Sequence, residues 1–167
     1  MIQFSETGRI GIVFYFISPR TGIDIFWESP MDPKVREAIF RQVAAEPFAQ
    51  KFGLRLMDLD EGYSRVEMVF TLDMANMFGA AHGGALFALI DEAFETASNS
   101  HGTLAVALNL NITYIASPEP GTRLPAEARE FSRTNRTAGY AIQVRDPENR
   151  LMASCQALVY RKGTPLP

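Results

Sequence analysis

The fold is decided by the stretch AHGGALFALIDEAFETASNS, residues 81 to 100. Between residues 85 and 97 its apolar side chains recur around nearly the whole circumference of a helix, which a helix lying on a protein surface could not tolerate. The members of this apolar surface are Ala85, Leu86, Phe87, Ala88, Leu89, Ile90, Ala93, Phe94 and Ala97. We therefore predict one buried helix that the rest of the chain encloses.

Asp91 interrupts the middle of this apolar surface, directly after Ile90. A carboxylate in such surroundings is either partly desolvated, with a raised pKa, or held ionised by a specific partner. The alternative is an ordinary carboxylate that shares a solvated stripe with Glu92 and Glu95. Asp91 is thus a candidate functional residue.

His82, Gly83 and Gly84 form the start of the same helix. The first backbone N–H groups of a helix lack intrahelical partners, and glycine leaves them open to approach, so an oxygen atom carrying negative charge could bind there. The alternatives are a structural or capping histidine and a plain tight turn at the two glycines. The helix therefore carries two candidate half-sites.

Composition limits the class of protein. A chain of 167 residues with 47% hydrophobic and 21% charged residues is typical of a single soluble domain with a sizeable core. The formal net charge of -3 gives no basic excess for nucleic acid or a membrane surface. The lone Cys155 excludes an internal disulfide, and the two histidines lack neighbours at metal-ligand spacing, so we expect no metal.

The first thirty residues differ from the rest. Residues 10 to 17 (IGIVFYFI) are apolar but too short to span a bilayer, and no small-residue cleavage site follows them, so we expect a cytoplasmic protein. A second β-rich run at residues 23 to 27 predicts a hairpin. We divide the chain into an N-terminal extension, residues 1–30, and a domain, residues 31–167.

The remaining segments predict a short helix and a sheet. Asp32 and Pro33 are typical of a helix start, and the helix should end before Pro47. Strands are expected near residues 54–57, at 63–71 and, after the central helix, at 104–115, 123–132, 139–145 and 151–160. Short connections favour an antiparallel meander. Such a sheet curled around the apolar helix is an α+β fold.

One block of residues resembles a known family. NMFGAAHGG at residues 76–84, followed by LIDEAF at residues 89–94, resembles the signature of hotdog-fold acyl-CoA thioesterases of the PaaI-like, phenylacetic acid degradation type. NITYI at 111–115 and LPAEA at 124–128 support the likeness. The resemblance implies a hotdog fold, hydrolysis of an acyl-CoA thioester, and a homodimer or a dimer of dimers. Coenzyme A would be part of the substrate, and no separate cofactor is expected.

The resemblance and the chemistry together suggest catalytic roles. Hydrolysis builds negative charge on the thioester oxygen, so the N–H of Gly83 is the expected oxyanion donor. Asp91 would act as general base or as nucleophile, two roles that the sequence does not separate. Asn76 could orient the water or the carboxylate. His82 would fix the loop or contact the thioester.

Other residues are candidates for binding the substrate. Arg133 and Arg136 flank a strand turn and could bind the phosphates of coenzyme A, with a solvated turn as the alternative. Phe78 and Phe87 could line an acyl pocket, with core packing as the alternative, and Gly84 would lie beside them. The family pattern is broken at Asn135, where relatives often have glycine, and at Ala107 and Leu108, where some place serine or threonine.

Two other functions remain open at this point. A hotdog dehydratase or hydratase would need a histidine base against an acidic partner, for which His82 is poorly placed. A non-catalytic acyl-CoA-binding protein would lack turnover. For hydrolysis, distance matters: Gly83 and Asp91 lie eight residues apart, about 12 Å along one helix. We therefore expect a site shared by two subunits.

Overall fold

The computed structural model describes the backbone of residues 2–4, 10–18 and 22–28 and the whole of residues 31–166. The first three strands, β1 (Ile2–Phe4), β2 (Ile10–Ser18) and β3 (Gly22–Glu28), form an antiparallel sheet in that order. The two runs expected to form a hairpin are therefore paired. The division of the chain at residue 30 stays a prediction.

Two short helices precede the main sheet. Helix α1 (Pro33–Ala45) begins as expected, because the side chain of Asp32 accepts a hydrogen bond from the N–H of Lys34 at 2.9 Å. Helix α2 (Pro47–Phe52) was not foreseen. Pro47 ends one helix but also opens the next, since proline is well suited to the first helical position. Gly53, with φ of 64°, ends α2 in the left-handed conformation.

Six antiparallel strands form the main sheet, in the order β4-β5-β7-β8-β9-β6. They are β4 (Arg55–Asp60), β5 (Tyr63–Val69), β6 (Thr103–Tyr114), β7 (Arg123–Arg133), β8 (Thr137–Arg145) and β9 (Leu151–Pro165). The expected meander holds only for β7, β8 and β9. Strand β6 lies instead at the sheet edge beside β9, because the long helix before it carries the chain across the face of the sheet.

That helix is α3 (Gly83–Asn99), which contacts all six strands of the main sheet. The predicted burial of this helix is confirmed: twelve of its residues are buried, among them all the apolar residues named above except Phe87. In the core, Phe94 meets Tyr140 edge to face, with ring centroids 5.4 Å apart. The hydroxyl of Ser64 donates to the carbonyl of Ala93 at 2.6 Å and ties β5 to the middle of the helix. The result is the α+β hotdog arrangement, a helix wrapped by an antiparallel sheet.

Candidate active site

The start of α3 leaves one backbone donor without a partner. His82 caps the helix, and its Nδ1 accepts a hydrogen bond from the N–H of Gly84 at 2.9 Å. A neutral imidazole that accepts through Nδ1 carries its proton on Nε2. Gly83 occupies the first helical position, where the N–H has no intrahelical acceptor, and nothing else in the described part of the chain accepts from it. The N–H of Gly83 is therefore available to a ligand.

Asn76 shapes the turn that precedes this helix start. Its Oδ1 accepts from the N–H of Phe78 at 2.9 Å and from the N–H of Ala80 at 3.2 Å. The N–H of His82 in turn donates to the carbonyl of Met74 at 2.9 Å, which fastens the turn to the helix. Asn76 thus lies in the turn directly before His82 and Gly83, with its Nδ2 as the donor that remains, and its role in orienting water or the carboxylate stays a prediction.

Tyr114, at the end of β6, is the residue at this site that sequence reasoning missed. Its hydroxyl donates to the carbonyl of Gly83 at 3.1 Å. A Cβ atom at residue 83 would lie 3.1 Å from Cζ of the Tyr114 ring, so the ring covers the glycine. An open cavity of about 350 Å³ lies here, between Gly83, Tyr114 and Ser117. The NITYI block contained this tyrosine, but its spacing from Gly83 gave no sign of the contact.

The two candidate aromatic residues lie near the helix start but are not enclosed. Phe78 is 82% exposed in the turn held by Asn76. Phe87, one turn into α3, is 39% exposed although its helical neighbours are buried. Exposed aromatic side chains beside a helix start are typical of a surface that a ligand or partner covers. Their role in an acyl pocket stays a prediction.

Asp91 is half-buried in the middle of α3. Burial raises the pKa of its carboxyl above the usual value of 3.8. Its carboxyl makes no hydrogen bond or ion pair with the described residues. Asp91 is therefore partly desolvated and is not held ionised by a partner in its own chain. Its carboxyl is about 12 Å along the helix from Gly83. One chain alone does not bring the two groups together.

Glu92 is enclosed more deeply than Asp91, which corrects the view of Asp91 as the single carboxylate in the apolar region. The residue is 3% exposed, whereas Glu95 lies at the surface. Burial, then the charges of Glu46, Glu95 and Asp91, raise the pKa of Glu92 to about 8. Glu92 was missed because the sequence suggested no role for it beyond a solvated stripe shared with Asp91 and Glu95.

The two arginines lie at the other end of α3. The Nε of Arg133 is 3.0 Å from Oε1 of Glu130, and its Nη1 is 3.3 Å from Nδ1 of His101, which follows the helix. The guanidinium of Arg136 has no partner in the described part of the chain, and its carbonyl accepts from the N–H of Arg161. The 17-residue helix separates this end from Gly83 by about 25 Å. Neither arginine therefore meets Gly83 of its own chain, and their role in binding coenzyme A stays a prediction.

The described residues hold neither a metal-binding cluster nor a membrane-spanning helix. No group of three or more histidine, cysteine, aspartate or glutamate side chains there is arranged to hold a metal ion. None of the helices of this part has both the length and the apolar character needed to cross a membrane.

Comparison with known proteins agrees with this fold and shows the family. Residues 78–153 match the family model of the thioesterase superfamily. A protein of Archaeoglobus fulgidus named as a candidate esterase is 36% identical over 140 residues, covering 84% of this chain and 89% of its own. The acyl-coenzyme A thioesterase PaaI of Escherichia coli is 32% identical over 115 residues, covering 69% of this chain and 82% of its own.

The structure of the Escherichia coli PaaI protein gives the same result. It superposes with a TM-score of 0.78 at 28% identity, covering 82% of this chain and 99% of that chain. The fold and the relatives define a thioester hydrolase. Within that class, the chain belongs to the PaaI-like hotdog proteins of the thioesterase superfamily.

Proposed function

We propose that this thioesterase hydrolyses acyl-CoA, in a site built from Asn76, His82 and Gly83 of one subunit and Asp91 of another. The observation that carries the proposal is that one backbone N–H at the start of α3 has a partner in the chain and the one before it has none. Because His82 accepts from the N–H of Gly84, the N–H of Gly83 alone is left to bind an oxyanion. PaaI, an acyl-CoA thioesterase by name, supports acyl-CoA as the substrate class.

The oxyanion site follows from helix geometry. The N–H at the first helical position points along the axis, where the partial positive charge of the helix favours an anion. The thioester oxygen would accept from Gly83 as the carbonyl carbon becomes tetrahedral, and the stabilisation grows as the charge develops. The hydrogen bond from Tyr114 to the carbonyl of Gly83 holds the next peptide unit, between Gly83 and Gly84, and so restricts movement of residue 83.

Asp91 supplies the other half of the reaction. As a general base its carboxylate takes a proton from water, the water oxygen attacks the thioester carbon, and the tetrahedral intermediate collapses with loss of the coenzyme A thiolate. As a nucleophile its carboxylate would attack the thioester carbon and expel the coenzyme A thiolate, which leaves an anhydride that water then hydrolyses. Both routes need the ionised form. Burial raises the pKa of Asp91 above its usual value of 3.8. As the pH decreases, the rate should therefore begin to fall while the pH is still above 3.8.

The surface of β6 supports a shared site. It is a strand of 12 residues at the sheet edge, with one row of backbone groups unpaired within the main sheet. Leu108, Tyr114 and Ile115 are each at least half exposed along and after it. A long edge with apolar side chains is a ready surface for pairing with another chain. A second copy docked here would bring its own helix toward Tyr114 and Gly83.

The test is thiol release from a panel of acyl-CoA substrates by the wild-type protein and Asp91→Asn. We expect turnover by the wild type and loss of turnover, with folding and acyl-CoA binding retained, in the variant. Glu37→Gln, at an exposed position of α1, is the matched control for the removal of a carboxylate. Full turnover by a folded Asp91→Asn protein would overturn the proposed role of Asp91. Binding of acyl-CoA without turnover by the wild type would overturn the activity.

A further inference from the structure

A second cavity, of about 260 Å³, lies between α1, α3 and β6. Ile39, Val43 and Leu104 form part of its apolar wall. Glu46, Glu92 and Glu95 bring three carboxyl groups to the same space. No lysine, arginine or histidine of the described residues lines it. The cavity thus combines an apolar wall with a concentration of acidic groups.

Glu92 is the most enclosed of these groups. The residue is 3% exposed, and its Oε1 is buried without a hydrogen-bond partner in the described part of the chain. The large majority of buried polar atoms in folded proteins have a partner, so an exception needs an explanation. A ligand in the cavity that donates a hydrogen bond to this carboxyl would provide one.

The charges around the cavity indicate what kind of donor fits. Glu46, Glu92 and Glu95 each have a raised pKa, for which burial is the first cause and the neighbouring carboxylates the second. None of the three forms an ion pair with a described basic residue. Like charges held together without a cation destabilise one another, and a bound cation would offset that repulsion.

The position of the cavity connects it to the proposed reaction. Glu95, on its wall, follows Asp91 by four residues, which is one helical turn or about 6 Å. Asp91 also contributes to the raised pKa of Glu46, Glu92 and Glu95, so its carboxylate lies within electrostatic reach of all three. An acyl chain whose thioester carbon lies at Asp91 therefore needs only a short apolar stem to reach this space.

We propose that this cavity receives the far end of the acyl group, and that it selects acyl groups whose apolar stem ends in a protonated amine. The stem lies against Ile39, Val43 and Leu104, and the ammonium group donates to Glu92 and to the carboxylates of Glu46 and Glu95. The inference rests on the proposed function, because it assigns the substrate class of the same site.

The test compares four substrates that differ only at the terminal carbon: hexanoyl-CoA and its analogues that carry a terminal amine, hydroxyl or carboxylate. We expect kcat/KM for the amine to exceed that for hexanoyl-CoA by about ten-fold, since hydrogen bonds to charged groups are the stronger class. The carboxylate should be the poorest substrate. Equal values for the amine and hexanoyl-CoA, or a preference for the hydroxyl, would contradict the proposal.

Two variants connect the preference to the cavity. The substitution Glu92→Gln keeps the size of the side chain. In this variant the kcat/KM for the amine substrate divided by that for hexanoyl-CoA should fall by about ten-fold. Glu95→Gln, at an exposed position, should lower the same ratio. It still tests the cavity if Glu92→Gln fails to fold. Glu37→Gln, on an exposed part of α1 outside the cavity, is the matched control and should keep the wild-type ratio. An unchanged ratio in both cavity variants rejects the site.

A separate measurement distinguishes failure of this inference from failure of the proposed function. Hydrolysis of hexanoyl-CoA without amine preference would refute the inference alone. Absence of hydrolysis of any thioester would refute the function. In that case hexylammonium, added to the whole protein, still tests the cavity: it should shift the amide NMR signals of residues 104–106 where hexanol does not. No shift, or an equal shift with hexanol, overturns the inference.

Discussion

The hydroxyl of Tyr114 donates a hydrogen bond to the carbonyl of Gly83 at 3.1 Å, and the ring of Tyr114 covers the α-carbon of that glycine. The contact joins the end of β6 to the first residue of α3. It explains why residue 83 carries no side chain, because a Cβ atom would lie 3.1 Å from the ring. It also holds the peptide unit between Gly83 and Gly84, which directly follows the N–H of Gly83 that is the proposed oxyanion donor.

The role of the N–H of Gly83 can be tested separately from the effect of adding a side chain at residue 83. Gly83→Ala adds a Cβ but keeps the N–H, whereas Gly83→Pro adds a ring and removes the N–H. Proline suits the first helical position, and His82, with φ of -67° and ψ of 131°, already has the conformation required before proline. We expect kcat for Gly83→Pro to be about a hundred-fold below that for Gly83→Ala.

The measurement is kcat for both variants, with circular dichroism and Tm as the control for folding. Gly83→Ala should itself be somewhat slower than wild type, since the Tyr114 ring has to shift by a few tenths of an ångström. Equal kcat values for two folded variants would show that Gly83 does not donate to the oxyanion.

Of the candidate site, the sequence could place only the residues that lie close together along the chain. Asn76, His82 and Gly83 fall within eight residues, and a helix start with its preceding turn places them side by side whatever the rest of the fold does. The buried helix itself followed from its apolar circumference. Contacts between segments that are distant in the sequence could not be predicted. Nothing in the spacing of Tyr114 from Gly83 indicates that the two residues touch.

The same limit applies to burial and to strand order. Glu92 and Glu95 are both acidic residues of α3, yet one is enclosed and the other exposed, a difference that depends on which segments of the folded chain cover each face of the helix. The position of β6 at the sheet edge depends on where α3 delivers the chain, which local turn signals do not encode. Arg133 was identified as a basic residue near a turn, but its contact with Glu130, three residues earlier on the same strand, goes with an irregularity of β7 between Glu130 and Ser132 that the sequence did not reveal.

Arg136 should contribute to binding the nucleotide part of the substrate. Its guanidinium has no partner among the described residues, whereas that of Arg133 already contacts Glu130. We expect Arg136→Ala to raise KM for acyl-CoA by several-fold, in line with the loss of a charge-assisted contact, and to leave KM for a pantetheine thioester of the same acyl group nearly unchanged. Arg41→Ala, at an exposed position of α1, is the control. Equal effects on both substrates would exclude Arg136 from the coenzyme A site.

Glu92 should make stability depend on pH. Folding raises its pKa from 4.5 to about 8, so the folded state favours the protonated carboxyl. Its contribution to stability is fully present below pH 4.5 and is lost as pH rises to about 8. Glu92→Gln resembles the protonated form at every pH. Its advantage in the free energy of unfolding over wild type should therefore grow across this range, to on the order of a few kcal/mol.

Urea unfolding of both proteins at pH 4.5 and pH 8, the two limits of this range, measures the effect. The difference in the free energy of unfolding between Glu92→Gln and wild type is taken at each pH. In this difference the contributions of other titrating groups cancel if the substitution leaves them unchanged. Glu37→Gln, at an exposed position, should show no such growth with pH. A constant difference between Glu92→Gln and wild type would mean that Glu92 has no raised pKa in the folded protein.

The last prediction concerns the shared site. Gly83 and Asp91 are about 12 Å apart along one helix, whereas hydrogen bonding and attack at a single carbon each require approach to about 3 Å. The two groups that act on one thioester should therefore come from two chains related by two-fold symmetry. Gly83→Pro and Asp91→Asn should each be inactive as homodimers. Refolding them together in equal amounts should place about half of the protein in mixed dimers, each with one intact site of two.

Such a mixture should recover about a quarter of wild-type activity if the two sites act independently. A site built within one chain predicts no recovery, since every site would then keep one lesion. Two differently tagged variants allow the mixed dimer to be purified and its kcat measured directly. Mixing folded homodimers without unfolding them is the control, and any recovery there should follow the rate of subunit exchange. A purified mixed dimer of folded subunits that remains inactive would refute the shared site, because one of its two sites would contain both intact groups.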